Sequence, residues 1–423
     1  METVTKADGY GEFIPAIRGK VTCLVSRAMQ ITAAAGPLHE ADGLSTRRRG
    51  LFAACLAHAL HDGYTDGLYA FLPVWQSQFA LSYAAVAMVR ALYYGTMGGL
   101  QMPADRLLRG LSPRAALVIS TAVAATGFVI MAAPLGFPGL CVGLVVAGMG
   151  SSIQHPRGSL LVAETYAADA RRPLGLYNFS GDLGKAVIPA IVAVLLPIFA
   201  WRPLAGMLAL LGLGVAFALL KLAPRGRPVG AQAARASSRE PGRSGFPWLM
   251  AIGALDTATR MGYLLFLPFL IHARGGASAS VGLGLALLFI GGAFGKATCG
   301  WLGEHLGVIG AVVATETATA LLIVATLFTP LMPTLVLLPV LGVVLNGTSS
   351  VLYATVPELA PAGDTGRAFA LFYTGVIGSG GLAPIAYGAI ADHSSRTLGV
   401  LAAAATAALI VPLALQLGPS LRR

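Results

Sequence analysis

A run of about 18 or more apolar residues is long enough to cross, as a helix, a hydrocarbon layer roughly 30 Å thick. The 423-residue chain presents such a run twelve times. In the first half the runs cover 51–75, 84–103, 114–134, 138–162, 173–198 and 203–222; in the second, 247–271, 280–302, 308–329, 334–356, 367–391 and 398–418. Within lipid, each backbone amide must find its partner inside its own segment, so runs of this length read as helices. The expected fold class is an all-α membrane protein with twelve transmembrane helices. Composition agrees: 56% of residues are hydrophobic, 11% are charged, and the mean hydropathy of +0.74 lies outside the soluble range.

The net charge of +11 would suit a nucleic-acid partner if the basic residues clustered on a soluble domain. They sort by loop instead. Arg47, Arg48, Arg49, Arg106, Arg109, Arg114, Arg171, Arg172, Lys221, Arg225, Arg227, Arg235, Arg239, Arg243, Arg367, Arg422 and Arg423 fall on one side of the predicted membrane. Only Arg202, Arg274 and Arg396 fall on the other. Under the positive-inside rule this places both termini in the cytoplasm, with the chain a multi-pass protein of the cell inner (plasma) membrane and no nucleic-acid partner.

Residues 1–50 read as a cytoplasmic tail. The stretch "VTCLVSRAMQITAAA" has the apolar character of a signal-peptide core but is interrupted by Arg27, and Met29 remains an alternative start, so translation of 1–28 stays open. Cys23, Cys55, Cys141 and Cys299 are scattered, without metal spacing, and are expected to be free thiols. No metal site and no cofactor is expected.

The chain divides in two. The stretch from Lys221 to Phe246, rich in Arg, Gly, Pro and Ser, reads as a flexible linker over 223–246, between a first six-helix bundle at 51–222 and a second at 247–423. The halves resemble each other: "DGLYAFLPVW" at 66–75 parallels "MGYLLFLPFL" at 261–270, while Glu164, Arg172, Tyr177 and Pro189 align with Glu358, Arg367, Phe372 and Pro384. Duplicated units with Gly- and Pro-broken helices in matching places are the sequence mark of an alternating-access transporter.

The loop "GGLQMPADRLLRGLSPR" at 98–114 resembles the signature loop of the major facilitator superfamily, with Asp105, Arg106 and Arg109 matching and Gln101 and Leu108 in place of glycine. "GWLGEHLG" at 300–307 is similar to its second copy, with Glu304 and His305 for the Asp-Arg pair. The chain resembles the fosmidomycin-resistance branch in His58 with the His61-Asp62 pair, in "GSSIQHPRGS" at 150–159 and in "YNFSGDLGKAVIP" at 177–189; Arg157 and Lys185 depart from that pattern. The resemblance implies two pseudo-symmetric six-helix bundles and a cavity lined by the first, fourth, seventh and tenth helices, with contributions from the second, fifth, eighth and eleventh. It further implies that Asp105, Arg106 and Glu304 are gate residues, and the repeat-related Glu164, Arg172, Glu358 and Arg367 are grouped with them.

An ionisable side chain within a bilayer is a functional candidate by default. Here the acids are Asp62, Asp66, Asp182, Asp256 and Glu316, the bases Arg90, Arg157, Lys185, Arg260 and Lys296, and the switchable groups His58, His61 and His155. His58, Asp62 and Asp66 share one helix face. With His61 they are the expected proton-coupling residues, since carboxylates and imidazoles there can trade a proton against cargo. Arg90, His155, Arg157, Asn178, Asp182, Lys185, Asp256 and Arg260 are the expected substrate-binding residues, Arg offering a fork suited to anions. Local pairing is the competing reading for Asp182 with Lys185 and for Asp256 with Arg260. Glu316, on the ninth run, is expected to be a packing or gate residue.

The expected function is a proton-coupled secondary transporter, a monomer exporting a small polar anionic or zwitterionic compound by antiport, as in antibiotic efflux. Two alternatives stay open: export of a siderophore or metal chelate, and uptake of an organic anion by symport or exchange. An enzyme is not expected, because no P-loop, GxSxG, HExxH or nucleotide fingerprint is present.

Overall fold

The computed structural model describes residues 37–108, 110–166, 169–224, 245–360 and 365–421. Its helices, in chain order, are α1 (Pro37–Phe79), α2 (Tyr83–Gly99), α3 (Gln101–Leu107), α4 (Pro113–Ala132), α5 (Gly136–Tyr166), α6 (Arg171–Leu195) and α7 (Trp201–Leu222). The second half follows with α8 (Phe246–Ala273), α9 (Ser278–Phe328), α10 (Leu331–Thr355), the 3-10 turn Val356–Leu359, α11 (Thr365–His393) and α12 (Arg396–Leu421). No strand occurs among the described residues. The tail before residue 37 and most of the linker, 225–244, lie outside them.

Nine of these helices are long and apolar enough to cross a membrane. α9, at 51 residues, would run to about 76 Å as a single rod, more than twice a hydrocarbon layer. It breaks at Gly307, whose φ of 70° and ψ of 167° are non-helical and reserved for a residue without Cβ. The arms on either side, 278–306 and 308–328, match two separate apolar runs. α1 and α2 fall outside the nine: α1 carries the polar stripe and α2 is 17 residues long. With α9 divided and these two added, each apolar run of the sequence has a helix among the described residues, and the short α3 lies at the end of the second run.

Local chemistry sets the helix ends. Ser82 and Ser112 cap α2 and α4, each hydroxyl accepting from the amide three residues on, and Pro113 follows as first helical residue. The repeated prolines fall inside matching helices, Pro73 in α1 and Pro268 in α8, Pro189 in α6 and Pro384 in α11. Leu210 and Phe217 on α7, Phe328 on α9 and Val336 on α10 are exposed, as an exterior facing lipid requires.

Residues Gly50–Arg423 form one unit. Within the first half α4 packs on α5 and α7, and α2 on α5; within the second α9 packs on α10 and α12, and α8 on α11 and α12. The halves meet where α6 lies on α9 and α2 on α11. Lipid offers no hydrophobic drive between apolar helices, so close backbone approach through small residues supplies the packing. Gly127, Gly143 and Gly150 bring α4 and α5 together, and Ser120 donates to the Gly150 carbonyl at 2.9 Å. Gly291 and Gly295 of α9 meet the carbonyls of Pro339 and Val343 on α10, and Gly342 returns the contact to Leu288.

A side chain at Gly295 would overlap the Val343 backbone, whereas one at Gly300 meets nothing. Gly295→Val is therefore expected to cost about 1–3 kcal/mol of overpacking and to lower the unfolding temperature of the purified protein in detergent. Gly300→Ala should leave it unchanged. Equal unfolding temperatures for all three proteins would refute the close α9–α10 contact.

Candidate functional site

The face at which α1 enters the bundle is here the tail face, and the face where α1 ends is the far face. α1 is pressed against α6 at mid-depth, because Gly181 and Gly184 leave no room for side chains: a Cβ at Gly184 would overlap the Ala59 carbonyl, and one at Gly181 would meet Asp62 Oδ2 and the His58 ring. This approach sets the site. A cavity of about 510 Å³ opens between the halves, with Leu264 and Phe289 toward its deeper end and Gln101, Tyr353 and Tyr373 toward the tail-face ends of their helices.

Asp62 is the centre of its polar wall. One carboxylate oxygen, Oδ2, lies 3.3 Å from His58 Nε2 and 3.2 Å from Lys185 Nζ, and the other, Oδ1, lies 3.5 Å from His155 Nε2. His58 is held by a stacked contact with Tyr177, at 4.1 Å between ring centroids, and by its Nδ1, which lies 2.8 Å from the Tyr177 carbonyl oxygen. A carbonyl only accepts, so Nδ1 carries the proton. The remaining nitrogen, Nε2, then faces Asp62 with a lone pair when His58 is neutral and with an N–H when it is charged. One further proton turns an acceptor-to-acceptor contact into a charge-assisted hydrogen bond.

A second ion pair joins the two halves. Lys296 of α9 donates to both oxygens of Asp182 of α6, at 2.8 and 2.6 Å, while Lys185 lies 3.7 Å from Asp182 on its own helix. Lys185 is thereby shared between Asp62 and Asp182. Asp66 also lines the cavity, among the charges of Lys185, Arg90, Arg260 and Asp62, with no ion pair of its own within 4.0 Å among the described residues. Arg260 lines the opposite wall and donates to Thr257 at 3.4 Å.

The cavity thus brings together His58, Asp62, Asp66, His155, Asn178, Lys185 and Arg260 of the expected residues, with Asp182 behind Lys185 and Lys296. Others sit elsewhere. His61 is fully buried and turns away from the cavity, its Nδ1 2.8 Å from Ser151 Oγ and its Nε2 3.2 Å from Thr121 Oγ1, which makes it a bridge to α4 and α5. Arg90 is buried between Tyr69 and Tyr94, its guanidinium 4.4 and 4.8 Å from the two ring centroids, so Tyr94 rather than Arg90 faces the cavity. Arg157 is buried and does not line the cavity. Asp256 is likewise behind the wall, its carboxyl toward Glu316. Of the expected gate residues, Arg106, Arg172, Glu304 and Glu358 are exposed at or beyond the tail-face helix ends, while the side chains of Asp105, Glu164 and Arg367 lie outside the described residues.

Two site features were not singled out from sequence. Lys296 stood only among the basic residues within spans, because its partner is on the other half. Tyr353, at the end of α10, carried no signal apart from its aromatic ring. The three thiols among the described residues, Cys55, Cys141 and Cys299, are free.

The ligand atoms of His58, Asp62 and His155 lie within 4.8 Å of one another, a span a divalent ion could bridge. Lys185, at 3.2 Å from the same carboxylate, already supplies positive charge there and opposes a bare cation.

The far face is closed across the halves. Asp392, at the end of α11, accepts hydrogen bonds from the Tyr83 and Ala84 amides at 2.7 and 2.9 Å and so caps the start of α2. Gly282 of α9 meets Ala190 and Ala193 of α6, and Gly388 meets the backbone at Ala84.

The sequence profile described as Major Facilitator Superfamily matches residues 54–255. The fosmidomycin resistance protein of Escherichia coli (strain K12) is 24% identical over 385 residues, which cover 86% of this chain and 92% of that protein. Among solved structures, a bacterial homologue of the human lysosomal transporter Spinster, inward-facing and unoccupied, superposes with a TM-score of 0.70 at 15% identity, covering 89% of this chain and 97% of that one. A POT family transporter in complex with 5-aminolevulinic acid gives 0.71 at 12% identity, with 89% and 97% covered. The profile match over 54–255, the relative of 24% identity and the shared fold together make this chain similar to membrane transporters of the Major Facilitator Superfamily, with its sequence resemblance in the fosmidomycin-resistance branch.

Proposed function

We propose that the chain is a proton-coupled secondary exporter of a small zwitterionic or anionic compound, with both termini in the cytoplasm and the tail face inward. The observation that carries this reading is the convergence of His58, His155 and Lys185 on the carboxylate of Asp62 inside the cavity. The resemblance to the fosmidomycin resistance protein favours export.

The geometry supports antiport in the following way. With the far face closed and the cavity reaching toward the tail face, cargo enters from the cytoplasm. Its anionic end meets Arg260 and the lysines, and a cationic end meets Asp66, which has no ion pair to give up among the described residues. That cationic end and a proton compete for the same carboxylates, so loading releases the proton held at His58–Asp62 or at Asp66. Once the halves rock and the site faces outward, a proton from the more acidic side displaces the cargo. The described ion pairs hold the empty site near neutrality, which keeps the cost of the buried charges low in each state.

Everted membrane vesicles with an imposed pH gradient test this. Polar antibiotics, amino acids and organic acids are added in turn, and cargo is recognised by dissipation of the gradient that requires the protein. Asp62→Asn is expected to abolish this proton movement while cargo-for-cargo exchange persists. Undiminished pH-driven flux in that variant would remove Asp62 from the coupling.

The Asp182–Lys296 pair ties α6 to α9 across the cavity in the conformation described. Lys296→Gln and Asp182→Asn are each expected to reduce flux, and the double variant to do little more than either alone, with a coupling of about 1.5–3 kcal/mol as expected for a hydrogen bond between charged groups. Simple additivity in flux and affinity would show that the two residues act separately.

A further inference from the structure

The second half holds a pair of acids that the cavity chemistry leaves unused. Asp256 of α8 and Glu316 of the second arm of α9 are 3% and 1% exposed, and neither lines the cavity. Their carboxyl groups, brought together from two different helices, are within hydrogen-bonding reach of each other. Glu316 Oε1 is fully buried and receives no hydrogen bond from any amide or hydroxyl among the described residues.

A carboxylate oxygen only accepts. Two carboxylates in contact cannot donate to each other and place two negative charges side by side in an apolar interior, an arrangement that a single shared proton resolves. The surroundings do not supply a substitute. Arg260 lies one turn along α8 and contributes its charge to Asp256, but its side chain reaches Thr257 and the cavity. Thr348 of α10 is in reach of Glu316, yet its hydroxyl already donates to Thr315 Oγ1 at 2.8 Å. The other titratable groups facing the pair are Cys299 of α9 and, toward Asp256, Tyr353 of α10. None of these is a second cation.

We infer that Asp256 and Glu316 form a proton-binding site in the second half, a carboxyl pair that holds one proton between them and is separate from the Asp62 cluster of the first half. With one proton the pair carries a single negative charge beside Arg260, which also faces Asp66 across the cavity. A second proton would cancel that charge and leave Arg260 more strongly positive toward cargo. The pair thus offers the anion-binding wall a control that does not touch the cargo. The proton site itself stands independently of the export reading.

Infrared spectroscopy of the purified protein in nanodiscs at neutral pH tests it without any cargo. A protonated carboxyl shows a C=O stretch that shifts to lower frequency in heavy water. The native protein is expected to show this band at neutral pH, and Glu316→Gln to lose an intensity equal to one carboxyl per chain. Asp256→Asn serves as the second variant, removing the charge that Glu316 shares its proton with; it should change the pH at which the band titrates and provides the test if Glu316→Gln does not fold. Asp62→Asn should leave this component in place, so that failure of the coupling scheme and failure of the carboxyl pair are told apart. A band absent from the native protein at neutral pH, or retained in full with an unaltered titration in the folded variants, overturns the proposal.

Discussion

The organisation of this protein follows from the cost of placing charge in hydrocarbon. A lone ion at the centre of a bilayer costs a few kcal/mol or more, so each buried acid must meet a base, a proton or water. Asp62 meets all three of its neighbours on the first half, and Asp182 is held across the cavity by Lys296. Of these pairs Asp182–Lys296 is the one that joins the halves, so a movement of one half against the other would break that pair and leave the Asp62 cluster together.

Packing and chemistry share the same residues at this point. Gly181 and Gly184 let α6 approach α1 closely enough for Lys185 to reach Asp62, and a methyl group at Gly181 would intrude on His58 and Asp62 themselves. The far face is held by another division of labour. The α2 amides, which no helix turn can satisfy, receive the Asp392 carboxylate from the other half. The contact also links α2 of one half to α11 of the other.

The all-helical fold could be read directly from the chain, since long apolar runs are a property of local composition. Gly307 marks its own role: the sequence places a signature glycine there and the helix breaks at that residue. The site was legible only where polarity alone decides. His58, Asp62, Asp66, His155 and Lys185 stand out as ionisable residues in apolar runs and do line the cavity. His61 stands out equally, yet its direction depends on Ser151 and Thr121, which a single-helix reading cannot place. Arg90 is taken up by two aromatic rings for the same reason.

Sequence spacing misleads most where pairing is long-range. Asp182 and Lys185 are three apart and do lie within 4.0 Å, but the stronger partner of Asp182 is Lys296, 114 positions away. Asp256 and Arg260, four apart, do act on each other, but Asp256 also faces Glu316 on another helix. In both halves the local base lines the cavity while a distant group also acts on the acid. A helix can place an acid and a base one turn apart, but it cannot by that spacing alone aim one inward and the other at cargo. Such distant groups share the acid's charge, so that Lys185 and Arg260 reach the cavity wall even though Lys185 also stays 3.2 Å from Asp62.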